Sequence, residues 1–312
     1  MRSTGGHVAF GFLVAGSAAL FGCRSTTFVS WVKVAVGDEV CGISDTGFVE
    51  CAYHSLPAGE RSCEPAVGDT LGDDCVYRGP RHVQLDLHRG SRCKLNEERQ
   101  LHCYFDSYLE FPEFELEYTD VSVGAEHVCT MDVEHGARCW CGVDPYPGPY
   151  DYGIHGTYHC TESTLELSTV EAGSYTSCGL AEAQSLHCWG EDTFKSSGPF
   201  VAVTAGSPHI CALDLDGRVH CWVHGGLDFV TPPRTDPYTQ VTAGLGHVCA
   251  LTRAGRVDCW GEDDHGQSTP PPGRFTNLSC GTQRTCGVTL DGDIECWGST
   301  GEDPLAESWV WE

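Results

Sequence analysis

Seven times along the chain a cysteine is followed by another ten residues later: Cys41 and Cys51, Cys93 and Cys103, Cys129 and Cys139, Cys178 and Cys188, Cys211 and Cys221, Cys249 and Cys259, Cys286 and Cys296. An interval repeated this often restricts the backbone between the cysteines to one local geometry. In four copies a glycine stands six residues after the first cysteine, at Gly47, Gly217, Gly255 and Gly292. A three-residue hairpin loop ending in a glycine at positive φ, as in Leu215-Asp216-Gly217, places residue 214 opposite 218. Counting outward then sets 213 against 219, 212 against 220 and Cys211 against Cys221. Facing residues of antiparallel strands have Cα atoms roughly 4.5–5.5 Å apart, a separation that a disulfide accepts. Zinc is the competing explanation, but each hairpin offers two thiols where a structural site takes four ligands. The pairs are therefore read as staples, each worth roughly 2–3 kcal/mol in the chain-entropy model.

The copies extend beyond the cysteines. The clearest are "VAVTAGSPHICALDLDGRVHCWVH" from Val201, "TQVTAGLGHVCALTRAGRVDCWGE" from Thr239 and "TNLSCGTQRTCGVTLDGDIECWGS" from Thr276; those from Thr119 and Ser168 are weaker, and those from Val32 and Val83 degenerate. An apolar residue recurs eight positions before the first cysteine, at Leu85, Val121, Val170, Val203, Val241 and Leu278. Three places earlier stand Tyr118, Leu167, Phe200, Tyr238 and Phe275, and Trp31 and Val34 fill the two positions in the first copy. A tryptophan follows the second cysteine at 140, 189, 222, 260 and 297. In "RVHCW", Val219 and Cys221 share one strand face while His220 and Trp222 share the other. Each copy reads as about four short strands within about forty residues, and no helical periodicity competes. The expected fold is all-β, a seven-bladed β-propeller with cross-strand disulfides, because a closed ring leaves no sheet edge exposed.

The string "VTAGLGHVCALTRAGRVDCWGEDDHGQSTPPPGRF" (241–275) resembles the regulator of chromosome condensation repeat, with its V-x-A-G-x-x-H-x-x-A-L, a turn, V-x-x-W-G and then G-Q. The resemblance spans roughly residues 28 to 311, and only Asp264-His265-Gly266-Gln267 keeps the G-Q segment. It implies a seven-bladed propeller, and the cysteine-paired form is similar to an exported Gram-negative bacterial branch. The family's best-known member is a guanine nucleotide exchange factor that binds chromatin, and the same architecture elsewhere inhibits a secreted β-lactamase.

Twenty cysteines need metals in a reducing compartment or disulfides in an oxidising one. The N-terminus favours the second. An apolar run, Val8 to Phe21, follows Arg2 and is too short to span a bilayer comfortably, as an export signal would be. Leu20-Phe21-Gly22-Cys23 resembles a bacterial lipobox, with Phe21 in place of the usual small residue, and implies a lipid on Cys23. An ordinary secretory signal cut nearby is the alternative. The expected division is a signal peptide over 1–22, a tether over 23–27 and one propeller domain over 28–312. A net charge of −26 repels phosphate backbones and anionic headgroups. Nucleic acid is therefore excluded as a partner, and membrane contact is left to the Cys23 lipid.

Two further staples are expected in long connections, Cys63–Cys75 and Cys141–Cys160, while Cys280 is read as a buried free thiol. The segment "CGVDPYPGPYDYGIHGTYHC" carries Tyr146, Tyr150, Tyr152 and Tyr158, large side chains with polar tips suited to a partner-binding loop; packing onto the ring is the alternative. "YLEFPEFELEYTD" (108–120) reads as a strand with an acidic outer side. His127, His209 and His247 share one repeat position, which assigns them to architecture. The Asp-rich turns lack a full calcium loop, and no phosphate loop, nucleophile elbow or metalloprotease motif occurs. The chain is thus expected to be a monomeric, non-enzymatic envelope or secreted propeller with no metal or cofactor and a protein partner. A carbohydrate-binding or hydrolytic propeller is the alternative, and an exchange factor a third. Residues 28–37 and the final "ESWVWE" are expected to complete a shared blade.

Overall fold

Apolar residues alternating with polar ones on short, glycine-bounded segments give strands, and each cysteine interval gives one hairpin. The computed structural model describes residues 25–37, 40–52, 59–61, 81–88, 91–104, 117–125, 127–133, 136–141, 163–174, 176–190, 193–223, 227–228 and 237–299. They form seven antiparallel sheets of three or four strands, one per repeat. Blade 1 holds Trp31–Val36, Val40–Ser44 and Val49–Ala52, and blade 2 holds His82–His88, Ser91–Asn96 and Leu101–Tyr104. Blade 3 holds Tyr118–Val123, His127–Asp132, Gly136–Cys141 and Ser163–Glu166. Blade 4 holds Val170–Ala172, Thr176–Leu180, Leu186–Gly190 and Phe194–Ser196. Blade 5 holds Phe200–Ala205, His209–Asp214, Val219–Val223 and Leu227–Asp228. Blade 6 holds Tyr238–Ala243, His247–Thr252 and Val257–Gly261; blade 7 holds Phe275–Cys280, Arg284–Thr289 and Ile294–Gly298.

Inside each blade the second and third strands pair so that the two cysteines face each other. A glycine closes the turn in blades 1, 5, 6 and 7, and Arg99 and Gln184 stand there at positive φ in blades 2 and 4. Leu213 faces Val219, Ala212 faces His220 and Cys211 faces Cys221, with Gly217 at φ 78° closing the turn. The seven ten-residue cysteine pairs are all bridged, with Cα atoms 4.0–4.1 Å apart. A fourth strand is present in blades 3, 4 and 5 only, among the described residues. In blade 6 the corresponding stretch holds Pro270, Pro271 and Pro272, which have no N–H to give a ladder, and it folds as turns.

The core is divided among the seams between blades. Seven apolar clusters are present, each joining one blade to the next. In each, half-cystines of one blade pack against the first strand of its neighbour: Cys211 and Cys221 lie with Tyr238 and Val241, and Cys286 with Trp31 and Val34. Burial of the sulfur is complete at the first cysteine of every pair, all at 0 % exposure.

Backbone bonds repeat at the seams as well. The hairpin-turn carbonyl of one blade accepts from the N–H that opens the next: Gly217 O from Tyr238 N at 2.8 Å, Gly255 O from Phe275 N at 2.8 Å. Gly292 O accepts from Trp31 N, also at 2.8 Å, so blade 7 closes onto blade 1 by the same bond. The shared blade expected from the sequence would place the final "ESWVWE" beside residues 28–37. Among the described residues, blade 1 and blade 7 each draw their strands from one stretch of sequence, and the strand Ser25–Val29 pairs with Gly59–Arg61. Residues 308–312 lie outside the described residues.

Candidate functional site

The first strands of adjacent blades pack against one another all the way round the ring, so they surround its axis. Two positions recur at the seams, seven and nine residues before the first cysteine (six and eight in blade 1). They are occupied by Ala35 and Lys33, Asp86 and Gln84, Ser122 and Asp120, Glu171 and Thr169, Thr204 and Ala202, Thr242 and Gln240, Ser279 and Asn277. Most are polar, and their side chains bond the backbone of the neighbouring first strand. Ser279 Oγ accepts from Val36 N and Asn277 Oδ1 from Val34 N, both at 3.1 Å. Gln240 clamps Leu278 twice, accepting from its N–H at 3.0 Å and donating to its carbonyl at 2.8 Å. Thr242 accepts from Cys280 N, Thr204 from Ala243 N and Ser122 from Ala172 N. Strand edges that would otherwise stay unpaired are thereby satisfied. Sequence reading missed these polar positions, because strand alternation alone assigns them to an exposed face.

Three of the positions carry carboxylates, all in blades 2 to 4. Asp86 Oδ2 accepts from Val123 N at 2.7 Å and from Ser122 Oγ at 2.9 Å. Its Oδ1 turns back to Leu87 N at 3.0 Å, a donor that Ala35 of blade 1 has no side-chain oxygen to receive. Asp120 accepts from Val170 N, Thr169 Oγ1 and Gln84 Nε2. Enclosure outweighs these donors: burial pushes the Asp86 carboxyl up to about 6 and raises Asp120 above its ordinary value. Glu171 is raised well above the usual carboxylate range by burial and then by the charges of Asp86 and Asp120. Lys33, in the seam between blades 1 and 2, donates to Val83 O. Burial lowers its pKa despite the pull of Asp120. The result is a lopsided axis, acidic on one side and lined by hydroxyls and amides on the other.

The repeated histidines bond across the seams. His127 Nε2 meets Ser177 Oγ at 2.8 Å, His247 Nε2 meets Thr285 Oγ1 at 2.9 Å and His209 Nε2 meets His247 O at 3.1 Å. Burial holds His127 and His247 down to about 4 and also lowers His209. The one G-Q segment acts in the same way. Gln267, 1 % exposed, offers its carbonyl to Thr285 Oγ1 and Trp297 Nε1, both at 3.0 Å. Trp189 and Trp260, whose preceding repeats lack that segment, have buried indole N–H groups without a partner among the described residues.

A surface cleft of about 410 Å3 lies where blades 1 and 2 meet, lined by Val32, Lys33, Asp45, Arg81, Val83 and Glu97. Val32 and Val83 are bulge residues, 46 % and 39 % exposed, where blades 3, 6 and 7 have threonines bonding a strand carbonyl. Arg81 donates to Asp45 O and pairs with Glu97 at 3.7 Å, so the charges in this cleft are largely matched. Cys280 is a buried free thiol, pushed up to about 12 by burial. Of the other sites singled out in the sequence, Cys23, Cys63, Cys75, Cys160, Tyr146, Tyr150, Tyr152 and Tyr158 lie outside the described residues, as do the surroundings of the Cys141 side chain.

Comparison with known proteins agrees with this architecture. Residues 238–267 match the family model of the Regulator of chromosome condensation (RCC1) repeat. The fold is similar to the CRINKLY WD40 ectodomain of the Arabidopsis thaliana receptor kinase ACR4, with TM-score 0.64 at 22% identity over 90% of this chain and 97% of that one. Human WBSCR16 gives TM-score 0.60 at 14% identity over 88% of this chain and 87% of the other. Prp20p of Saccharomyces cerevisiae gives 0.58 at 12% identity over 71% and 74%.

Proposed function

A ring with RCC1-type repeats and a disulfide in every blade is the starting point, and from it we propose that the chain is an exported, non-enzymatic propeller that binds another protein through its connecting loops. The observation that carries the reading is the placement of oxidised sulfur in all seven seam clusters. A core that depends on disulfides is assembled where thiols are oxidised, outside a reducing cytosol. The lipobox-like Leu20 to Cys23 supports lipid attachment as the means of retention at the envelope. The ring itself consumes its repeated polar side chains in blade-to-blade bonds, which leaves recognition to the connections, where variable binding residues are commonly carried.

The similar folds are compatible with such a role: one is a receptor-kinase ectodomain, and Prp20p is described by its binding to Gsp1p and histones. Identities of 12–22% transfer neither partner. A net charge of −26 also opposes a histone-free chromatin role, since DNA contact rests on Lys and Arg. Two measurements test the proposal. Intact mass of the mature protein, before and after reduction, should show loss of residues 1–22, acyl mass on Cys23 and at least seven disulfides. Affinity capture from envelope extracts should return a stoichiometric protein. Glycan-array binding or sugar hydrolysis without such a partner would replace the reading with a carbohydrate-directed one.

A further inference from the structure

Cys280 ends the first strand of blade 7, at the position that Ala172, Ala205 and Ala243 hold in blades 4, 5 and 6. A cysteine here is unlike its counterparts, and it faces a disulfide. Its Sγ lies within 4.8 Å of Cys249 Sγ in blade 6, and both sulfurs contact Thr285 Oγ1 at 3.7 Å. Cys249 is bonded to Cys259 on the next strand. Forming a bond from Cys280 to Cys249 requires the sulfurs to approach to about 2.05 Å, a closure of at most about 2.7 Å. The geometry therefore supplies a thiol, an adjacent disulfide sulfur and a leaving cysteine in one seam.

We propose that Cys280 makes the Cys249–Cys259 bridge exchangeable, so that the ring has a second covalent state with blade 6 tied to blade 7. In the step, a solvent base removes the Cys280 proton as the seam opens locally. The thiolate attacks Cys249 Sγ, the Cys249–Cys259 bond breaks, and Cys259 leaves as a thiolate that takes a proton from water. One disulfide and one thiol are present before and after, so no oxidant or reductant is consumed. The exchange moves the free thiol from a buried site to Cys259, which is partly exposed on the third strand. There it is open to mixed disulfides and to oxidation. His247 is too weakly basic to be charged near neutral pH and so lends the thiol no neighbouring positive charge. Burial holds the Cys280 thiol high, which makes the exchange slow at neutral pH and about tenfold faster per pH unit on raising it.

The test uses the full chain, incubated without reductant between pH 6 and pH 9, then denatured at pH 5.5 with a maleimide present, so that exchange stops as every thiol is tagged. Peptide mapping locates the tag and the bridges. The expected result is a tag shared between Cys280 and Cys259, with a matching Cys249–Cys280 peptide and an initial rate rising about tenfold per pH unit. Cys280→Ser should keep the Cys249–Cys259 peptide alone and leave Cys259 untagged at every pH. A tag confined to Cys280 in the wild-type chain after prolonged incubation at pH 9 overturns the proposal, as does tagging of Cys259 in the Cys280→Ser variant.

Discussion

At Gly206 a Cβ atom would sit 2.5 Å from Gly244 O and 2.9 Å from the Ala243 Cβ of the next blade. This close approach, not turn geometry, is the reason for glycine in the repeated A-G pair. Gly206→Ala should destabilise the protein by about 1–3 kcal/mol, the usual cost of overpacking, read as a lower urea midpoint with unchanged slope. The histidines three residues on respond to acid. His127 titrates at about 4 in the folded ring and near 6.5 when unfolded, so the unfolded chain binds more protons between these values. Its stabilising contribution is full above pH 6.5 and lost as pH falls through 4. Asp86 acts in the opposite sense: raised to about 6, it favours the fold below its unfolded value near 3.9 and loses that contribution as pH rises through 6. His127→Gln, which can keep a bond to Ser177, should therefore shrink the stability difference between pH 7 and pH 4.5 by about 2–3 kcal/mol in denaturant titrations. An unchanged difference would show that His127 does not titrate in its buried setting.

Each hairpin is both a closed loop and half of a seam. Removing one staple, as in Cys211→Ala with Cys221→Ala, should cost about 2–3 kcal/mol from the loop alone. Because both sulfurs also pack on Tyr238 and Val241, hydrogen-exchange protection should fall in blade 6 as well as blade 5. Loss confined to residues 209–223 would mean that the bridge acts within its own blade only. The hairpin was the most legible element in the sequence, because ten residues and a glycine leave one register for Cys211 and Cys221. The apolar positions at Val203, Val241 and Leu278 were legible for the same reason, as strand periodicity. What faced the next blade was not: Asp86, Thr204 and Gln240 look like ordinary exposed strand residues until a second repeat is set beside the first. The fourth strand was over-read in blade 6, where Pro270, Pro271 and Pro272 have no N–H to give a ladder. The loop tyrosines gave composition without geometry.

Closure of the ring rests on one seam that covalent continuity does not provide. Trp31, 3 % exposed, anchors it among Val34, Phe48, Cys286 and Val288. Trp31→Ala should cost about 3–5 kcal/mol and lower exchange protection over residues 284–298 together with 31–44. Were the last blade unaffected, the ring would be held by its chain order and not by the contact. The closing seam nevertheless uses the same turn carbonyl, the same kind of side-chain acceptors and the same sulfur-on-aromatic packing as the seam between blades 6 and 7. Where the polypeptide is cut is thus of little account to the wheel. A gene circularly permuted within the blades, with the segment up to Cys23 kept in front, should encode the same ring, and duplication or loss of a module during evolution would be resisted by the fit at the axis and not by any special first or last repeat.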